Sequence, residues 1–167
     1  MGWSPLVRHS ERAEFEYRMR DVAGPGGIRG RDTSGALFSA PPSPTYLPIV
    51  YVQPRAPNRA VRGLDVQALP ATALTAQAAM VSGLPHVSEG MRLVQEVGEQ
   101  RGVVMYQAAF PPGMGRRGVP TAPALGVVAA VFRMEDVLQS ALGPQLPAHF
   151  RWCLLDPGAG PDNQRLS

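Results

Sequence analysis

Two apolar runs in the second half of the chain alternate with the period of two that is typical of β-strands. The run GVVMYQAAF (102–110) places Val104, Tyr106, Ala108 and Phe110 on one face and the residues between them on the other. The second run is ALGVVAAVFRM (124–134). A loop rich in Pro and Gly separates the two runs, so they are predicted to pair as antiparallel strands.

Three segments show the features of helices. In LPATALTAQAAMVSG (69–83), Pro70 fits the first turn and Gly83 the C-terminal end. The alanines of this helix would allow it to lie close to a sheet or a bound ligand. The segments HSERAEFEYRMRDVAG (9–24) and MEDVLQSALG (134–143) are also predicted to be helical.

Shorter strands are expected at 46–54, 86–94 and 149–156, where β-branched and aromatic residues cluster. The segment GWSPLV (2–7) is predicted to be an edge strand, because proline cannot donate the ladder hydrogen bond of a central strand. The order of these elements predicts an α+β fold in which helices pack on an antiparallel sheet.

The composition fits one globular domain, with 167 residues, 44% of them hydrophobic and 17% charged. The 16 basic residues are all arginines, so lysine chemistry such as a Schiff base is excluded. The net charge of +3 is scattered along the chain, and no nucleic-acid partner is predicted. No apolar run approaches the roughly 20 residues of a membrane span, and no signal peptide is recognised. Because MGW leads almost at once into structure, we expect a piece cut from a longer protein.

The candidates for catalysis are few. His9, His86 and His149 lie in separate segments without a two-histidine metal spacing, so neither a metal site nor a cofactor is predicted. His86 and Ser88 are two residues apart and would share a strand face, but a Ser–His pair also needs an orienting acid. A polar pocket or rim pair is the simpler interpretation.

Binding is better supported than catalysis. The Tyr106 face combines a large ring bearing a hydroxyl group with a small alanine, which leaves room for a ligand and offers a polar atom to orient it. The alternative is that both faces are simply packed. Asp65 stands alone between Leu64 and Val66. It is either a pocket group or a cap for the helix that follows.

The order of segments resembles the CHASE domain, the extracellular sensor module of membrane-bound histidine kinases and diguanylate cyclases. The resemblance is carried by GWSPLVRHSERAEFE, YLPIVYVQPRAPNRAVRGLDV, AQAAMVSG, MRLVQEVGEQRGVVMYQAAF and ALGVVAAVFRMEDVLQSAL, within residues 2–142. It implies a PAS-like ligand-binding unit at 1–143. Residues 144–167 would then begin a membrane-proximal unit or form a frayed tail. The family's membrane helices and stalk helix would lie outside this chain.

The resemblance to the plant cytokinin receptors, which are CHASE proteins, also implies a site. Asp65 matches the aspartate that binds the adenine-like ring, Val87 supplies a backbone contact before Ser88, and Tyr106 stands where those receptors have threonine. Tyrosine fills space that threonine leaves open, so a smaller or flatter ligand is expected, purine-like or amine-bearing. The predicted ligand-binding residues are Asp65, Met80, Val87, Ser88, Val104, Tyr106 and Ala108.

The resulting prediction is a sensor that performs no chemistry, in the periplasmic or extracellular part of an inner-membrane protein. The full-length receptor is expected to be a homodimer with a kinase or cyclase output domain, and to touch the membrane only through flanking helices. Two alternatives stay open. One is a small soluble hydrolase using His86, Ser88 and Asp65, and the other is a dimerisation module without a ligand.

Overall fold

The computed structural model describes residues 1–23, 27–32, 34–92, 101–116, 119–142, 153–160 and 164–166. Within this part of the chain, helices α1 to α4 span Arg12–Arg18, Arg20–Ala23, Pro70–Ser82 and Met134–Leu142. Short 3₁₀ helices span His9–Glu11, Arg59–Val61 and Val66–Ala68. The two later helical predictions are confirmed, whereas the first predicted helix is divided between α1 and α2. Its predicted end at Gly24 lies outside the described residues.

The described strands, β1 to β12 in chain order, are Gly2–Pro5, Val7–Arg8, Arg29–Arg31, Leu37–Ser39, Thr45–Tyr46, Tyr51–Val52, His86–Val87, Met91–Arg92, Arg101–Ala109, Gly115–Arg116, Val119–Pro120 and Gly126–Arg133. The main sheet has the order β6-β1-β12-β9-β7, and β8 also pairs with β9. Its neighbouring strands are all antiparallel. The predicted α+β fold with an antiparallel sheet is therefore confirmed.

The prediction that residues 2–7 form an edge strand is wrong. Strand β1 lies inside the sheet, between β6 and β12. It accommodates Pro5 because β6 pairs only with Gly2 and Trp3, so the proline lies at the end that β6 does not cover. On the other side of β1, Pro5 lies opposite Gly126 of β12.

Helix α3 packs on one face of the main sheet and forms the larger core with it. Its residues Ala76 and Ala79 are fully buried in a cluster that includes Tyr106, Ala108 and Val127. Alanine at these positions lets the helix approach β9 closely, as the sequence indicated. The helix ends at Gly83, which has φ +68° and donates its N–H to the Ala79 carbonyl at 3.0 Å. Glycine adopts this left-handed conformation without the steric cost of a side chain.

The shorter predicted strands are only partly formed. Segment 46–54 contains the last residue of β5 and the whole of β6, each a two-residue strand, with Pro48 between them bridging to Asp65. Segment 86–94 contains β7 and β8, separated by residues 88–90, which belong to neither strand, and its last two residues lie outside the described chain. The predicted strand 149–156 is described only from residue 153, where Leu155 forms a single bridge to Arg165.

A smaller core lies around Tyr46, which is fully buried together with Ile28 and close to Val7 and Ala40. Three groups surround the Tyr46 hydroxyl: the Ser43 amide at 2.9 Å, His9 Nδ1 at 2.9 Å and Arg12 Nη1 at 3.2 Å. This network connects the N-terminal 3₁₀ helix and α1 to β5. Among the described residues, no helix has both the length and the apolar character needed to cross a membrane.

Candidate functional site

A cavity of about 400 Å³ lies against the same face of the sheet as α3. Its floor is the sheet, its roof is formed by side chains from the segment 49–72, and α4 contributes at one end. Most of the lining side chains are apolar. The lining residues are Met1, Gly2, Ser4, Ile49, Val52, Gln53, Pro54, Pro57, Asn58, Val61, Val66, Leu69, Thr72, Met91, Arg92, Val104, Tyr106, Ala129, Val131, Phe132, Arg133, Asp136 and Val137.

Small residues on the sheet create the space. Gly2, Ala129 and Tyr106 lie opposite one another across β1, β12 and β9, so two of the three positions in this row carry little or no side chain. In the next row, Val131 lies opposite Val104. A volume of this size is at the lower end of the range for small-molecule pockets, roughly 300–1,000 Å³.

Four buried polar residues, none of them charged, line the cavity: Ser4, Asn58, Thr72 and Tyr106. Burial raises the pKa of the Tyr106 phenol above its ordinary value, and an interaction with the Thr72 hydroxyl partly offsets this rise. Tyr106 therefore stays protonated at neutral pH and can donate a hydrogen bond. Thr72 is only 4% exposed, and within the described chain its Oγ1 makes no hydrogen bond of ordinary geometry. Because a threonine hydroxyl can both donate and accept, this group can bond to a ligand or water while it lies beside Tyr106.

The mouth of the cavity carries charged side chains. Arg133 Nη1 lies 3.8 Å from Asp136 Oδ2, and both side chains are substantially exposed. Arg92 contributes to the lining from β8. The charged side chains thus lie at the solvent-facing end of the cavity, and the hydroxyls of Thr72 and Tyr106 lie in its interior.

Asp65 is buried, with 3% of its surface exposed, but it is not among the residues that line the cavity. Its Oδ1 accepts hydrogen bonds from the Leu47 amide at 2.8 Å and the Gln67 amide at 3.1 Å, and it caps the 3₁₀ helix Val66–Ala68. Burial raises the pKa of Asp65, while these two amides and the charge of Arg12 act in the opposite direction. The geometry corresponds to the capping alternative, and a ligand contact by Asp65 stays a prediction.

The other predicted residues fall into two groups. Val104 and Tyr106 line the cavity. Outside its lining, Ala108 is buried in the core, Met80 packs beside that core, and Val87 is 57% exposed. Ser88 is also outside the lining. Its hydroxyl accepts a hydrogen bond from the Val104 amide at 3.0 Å and donates one to the Glu89 carbonyl at 2.9 Å.

Thr72 was missed by sequence reasoning. It is the third residue of α3, and it lines the cavity together with Leu69, the N-cap of this helix. A threonine near a helix start is an ordinary feature, and only the arrangement of the sheet shows what it faces. The position of Pro70 was the sole signal, since it fixed where the helix begins.

The residues of the hydrolase alternative are directed to other partners. The ring of His86 bonds through Nε2 to the Ser82 hydroxyl at 2.9 Å, while Ser88 and Asp65 bond to backbone groups. None of the described hydrogen bonds joins these three side chains to one another. In the part of the chain that the structure describes, no group of three or more His, Cys, Asp or Glu residues is arranged to hold a metal ion.

Comparison with known proteins places this domain in a family. The family model of the CHASE domain matches residues 1–166, essentially the whole chain. The chain therefore belongs to the CHASE family, whose members are sensory domains of receptors. No curated protein matches the chain significantly.

Proposed function

We propose that this domain binds a small molecule in the cavity beside Tyr106 and Thr72, as the extracytoplasmic sensor of a membrane receptor. The observation that supports this most strongly is a mainly apolar cavity of ligand size that the buried side chains of Thr72 and Tyr106 help to line. A protein core that was merely packed would gain stability by filling this space.

Helix α4 is the element through which we expect ligand binding in the cavity to act on the rest of the receptor. Asp136 and Val137 of α4 line it, and α4 follows directly after β12, which contributes its floor. A ligand that contacts both elements would favour one position of α4 over another. It can shift such an equilibrium only by its difference in affinity for the two states. The full receptor would carry this change through a homodimer and a membrane helix to a kinase or cyclase output domain.

The two alternatives have less support. A hydrolase needs His86, Ser88 and Asp65 within hydrogen-bonding reach, and their observed bonds go to other groups. A dimerisation module without a ligand predicts a cavity filled by its own side chains, whereas about 400 Å³ is open here.

A thermal-shift screen tests the proposal. Purines, amino acids and small carboxylic acids are added to the wild-type chain, and specific stabilisation by one class is the expected result. The hits are then tested on Ala129→Leu, whose larger side chain occupies the floor of the cavity. We expect the stabilisation to disappear in this variant.

Ala130→Leu is the matched control. Ala130 is the next residue of β12, half-buried and directed to the opposite face of the sheet, so the same change there leaves the cavity open. Stabilisation that survives in Ala129→Leu, or that is lost equally in both variants, contradicts binding in this cavity. Failure of every compound class to stabilise the wild-type chain rejects the sensor function itself.

A further inference from the structure

The charged residues around the cavity indicate the chemical class of the ligand, which membership of the CHASE family does not specify. Among the described lining residues, Asp136 is the only acid, and it lies at the mouth. Asp65, the acid expected to receive an amine or a ring N–H, uses Oδ1 for two backbone amides and does not line the cavity. The described interior therefore offers no carboxylate to a positively charged group.

The buried polar residues of the lining, which are all uncharged, favour a neutral group instead. Protonated Tyr106 donates a hydrogen bond, and the Thr72 hydroxyl can donate or accept one. A ligand hydroxyl or carbonyl group satisfies both residues without bringing a charge into an apolar space. An ammonium group at this position would lose its hydration without an opposite charge to replace it.

Among the described residues at the mouth, positive charges outnumber negative ones. Arg92 and Arg133 line it, and Asp136 is the one carboxylate in the described lining. The contact between Arg133 and Asp136 is long, at 3.8 Å, and largely exposed, so this ion pair by itself contributes little stability. Arg92 makes no ion pair with any residue that the structure describes. An arginine here can instead hold a ligand carboxylate in a bidentate contact.

The volume limits the size of the ligand. If one water molecule accounts for about 30 Å³ of liquid, a cavity of about 400 Å³ corresponds to roughly a dozen waters. A ligand with about that number of non-hydrogen atoms fits within it, because covalently bonded atoms take up less volume than separate water molecules. The apolar lining then requires that most of those atoms be carbon.

Building on the proposed function, we infer that the ligand is a compact carboxylic acid. Its apolar body lies over Gly2 and Ala129, a neutral hydroxyl or carbonyl group contacts Thr72 and Tyr106, and its carboxylate lies at the mouth beside Arg133. This reverses the donor character expected from the sequence, where an amine or ring N–H was directed to Asp65.

Three matched probes test the charge preference by calorimetry on the full chain: 4-hydroxyphenylacetate, its neutral amide, and the amine tyramine. They share a phenol and an aromatic ring and differ mainly in the charge of the group at the other end. We expect the acid to bind up to about fivefold more tightly than the amide, the range for one exposed ion pair, and the amine to bind least tightly.

Variants at the mouth identify the source of this preference. Arg133→Gln should remove the advantage of the acid over the amide, and Asp136→Asn should increase it. Arg18→Gln removes the same charge from an exposed position on α1 and should change nothing. An amine that binds as tightly as the acid, or an acid preference that survives Arg133→Gln, overturns the inference.

These results are separate from the test of the sensor function. If tyramine binds best and Ala129→Leu abolishes its binding, the cavity is a ligand site and only the inferred acid is rejected. If none of the three probes binds, this ligand class is rejected, while the compound screen still decides whether the domain is a sensor.

Discussion

Replacing Asp65 separates its capping role from a role in binding. Asp65→Ala removes the oxygen that accepts the amides of Leu47 and Gln67. Leu47 is fully buried, so its amide has no route to water. An unsatisfied buried donor costs about 1–3 kcal/mol, and loss of a helix cap typically costs about 1 kcal/mol. We expect Asp65→Ala to lower the free energy of unfolding by about 2–4 kcal/mol.

Asp65→Asn is the control, because its side-chain oxygen can accept the same two hydrogen bonds. We expect it to cost less than about 1 kcal/mol at neutral pH. The two variants also differ from the wild type in their pH dependence. The raised pKa of Asp65 means that the folded state holds the proton more tightly than the unfolded chain does. The wild type therefore gains stability from Asp65 as the pH falls from above this raised pKa to below the ordinary value of 3.8, and Asp65→Asn does not.

Urea unfolding followed by circular dichroism measures both effects, at neutral pH and at several acidic values. If Asp65→Ala unfolds at the same urea concentration as the wild type, the two amides do not depend on this oxygen. If Asp65→Asn is as unstable as Asp65→Ala, the fold depends on the negative charge of Asp65 rather than on its oxygen as a hydrogen-bond acceptor, and the capping explanation is refuted.

Three further predictions follow from the cavity and the sheet. Thr72→Val removes the hydroxyl that lies beside Tyr106 in the lining of the cavity, so the calorimetric affinity for hydroxyl-bearing probes should fall. An unchanged affinity would contradict the assigned contact. Gly126→Ala should lower the free energy of unfolding in urea by more than about 3 kcal/mol, because the new Cβ would lie 2.3 Å from the Ser4 carbonyl oxygen. Gly160→Ala is the control: its Cβ would have no atom within 4 Å, so the same urea unfolding should show no change in stability. In an absorbance titration, the Tyr106 phenol should ionise at a pH above the ordinary tyrosine pKa of 10.0, and its contribution to stability should be lost as the pH rises through this raised pKa. Tyr106→Phe should remove the part of the titration that occurs at the highest pH. If that part is unchanged in the variant, the assignment to Tyr106 is contradicted.

The strongest elements could be predicted from the sequence because their signals are local. The alternation in β9 and β12 places every second residue on one face, and Pro70 and Gly83 mark the two ends of α3. The interior position of β1 could not be predicted in the same way. It depends on β6 pairing with only two residues of β1, which no pattern within β1 reveals.

The site was only partly predictable for a related reason. Val104 and Tyr106 were identified because their strand shows which face is shared. The direction of the Asp65 carboxylate depends on the amide of Leu47, 18 residues earlier in the chain, so both the capping and the pocket interpretation fitted the local sequence. Thr72 was identified as a lining residue only from the structure, because its position in the cavity depends on how α3 packs against the sheet.

The most direct test of the central claim is a crystal structure of the chain soaked with the compound that stabilises it best. We predict density for that compound between the sheet and the roof of the cavity, with a polar atom within hydrogen-bonding distance of the Tyr106 hydroxyl or Thr72 Oγ1. Density for the compound elsewhere, with the space over Gly2 and Ala129 filled by the protein's own side chains, would contradict the account.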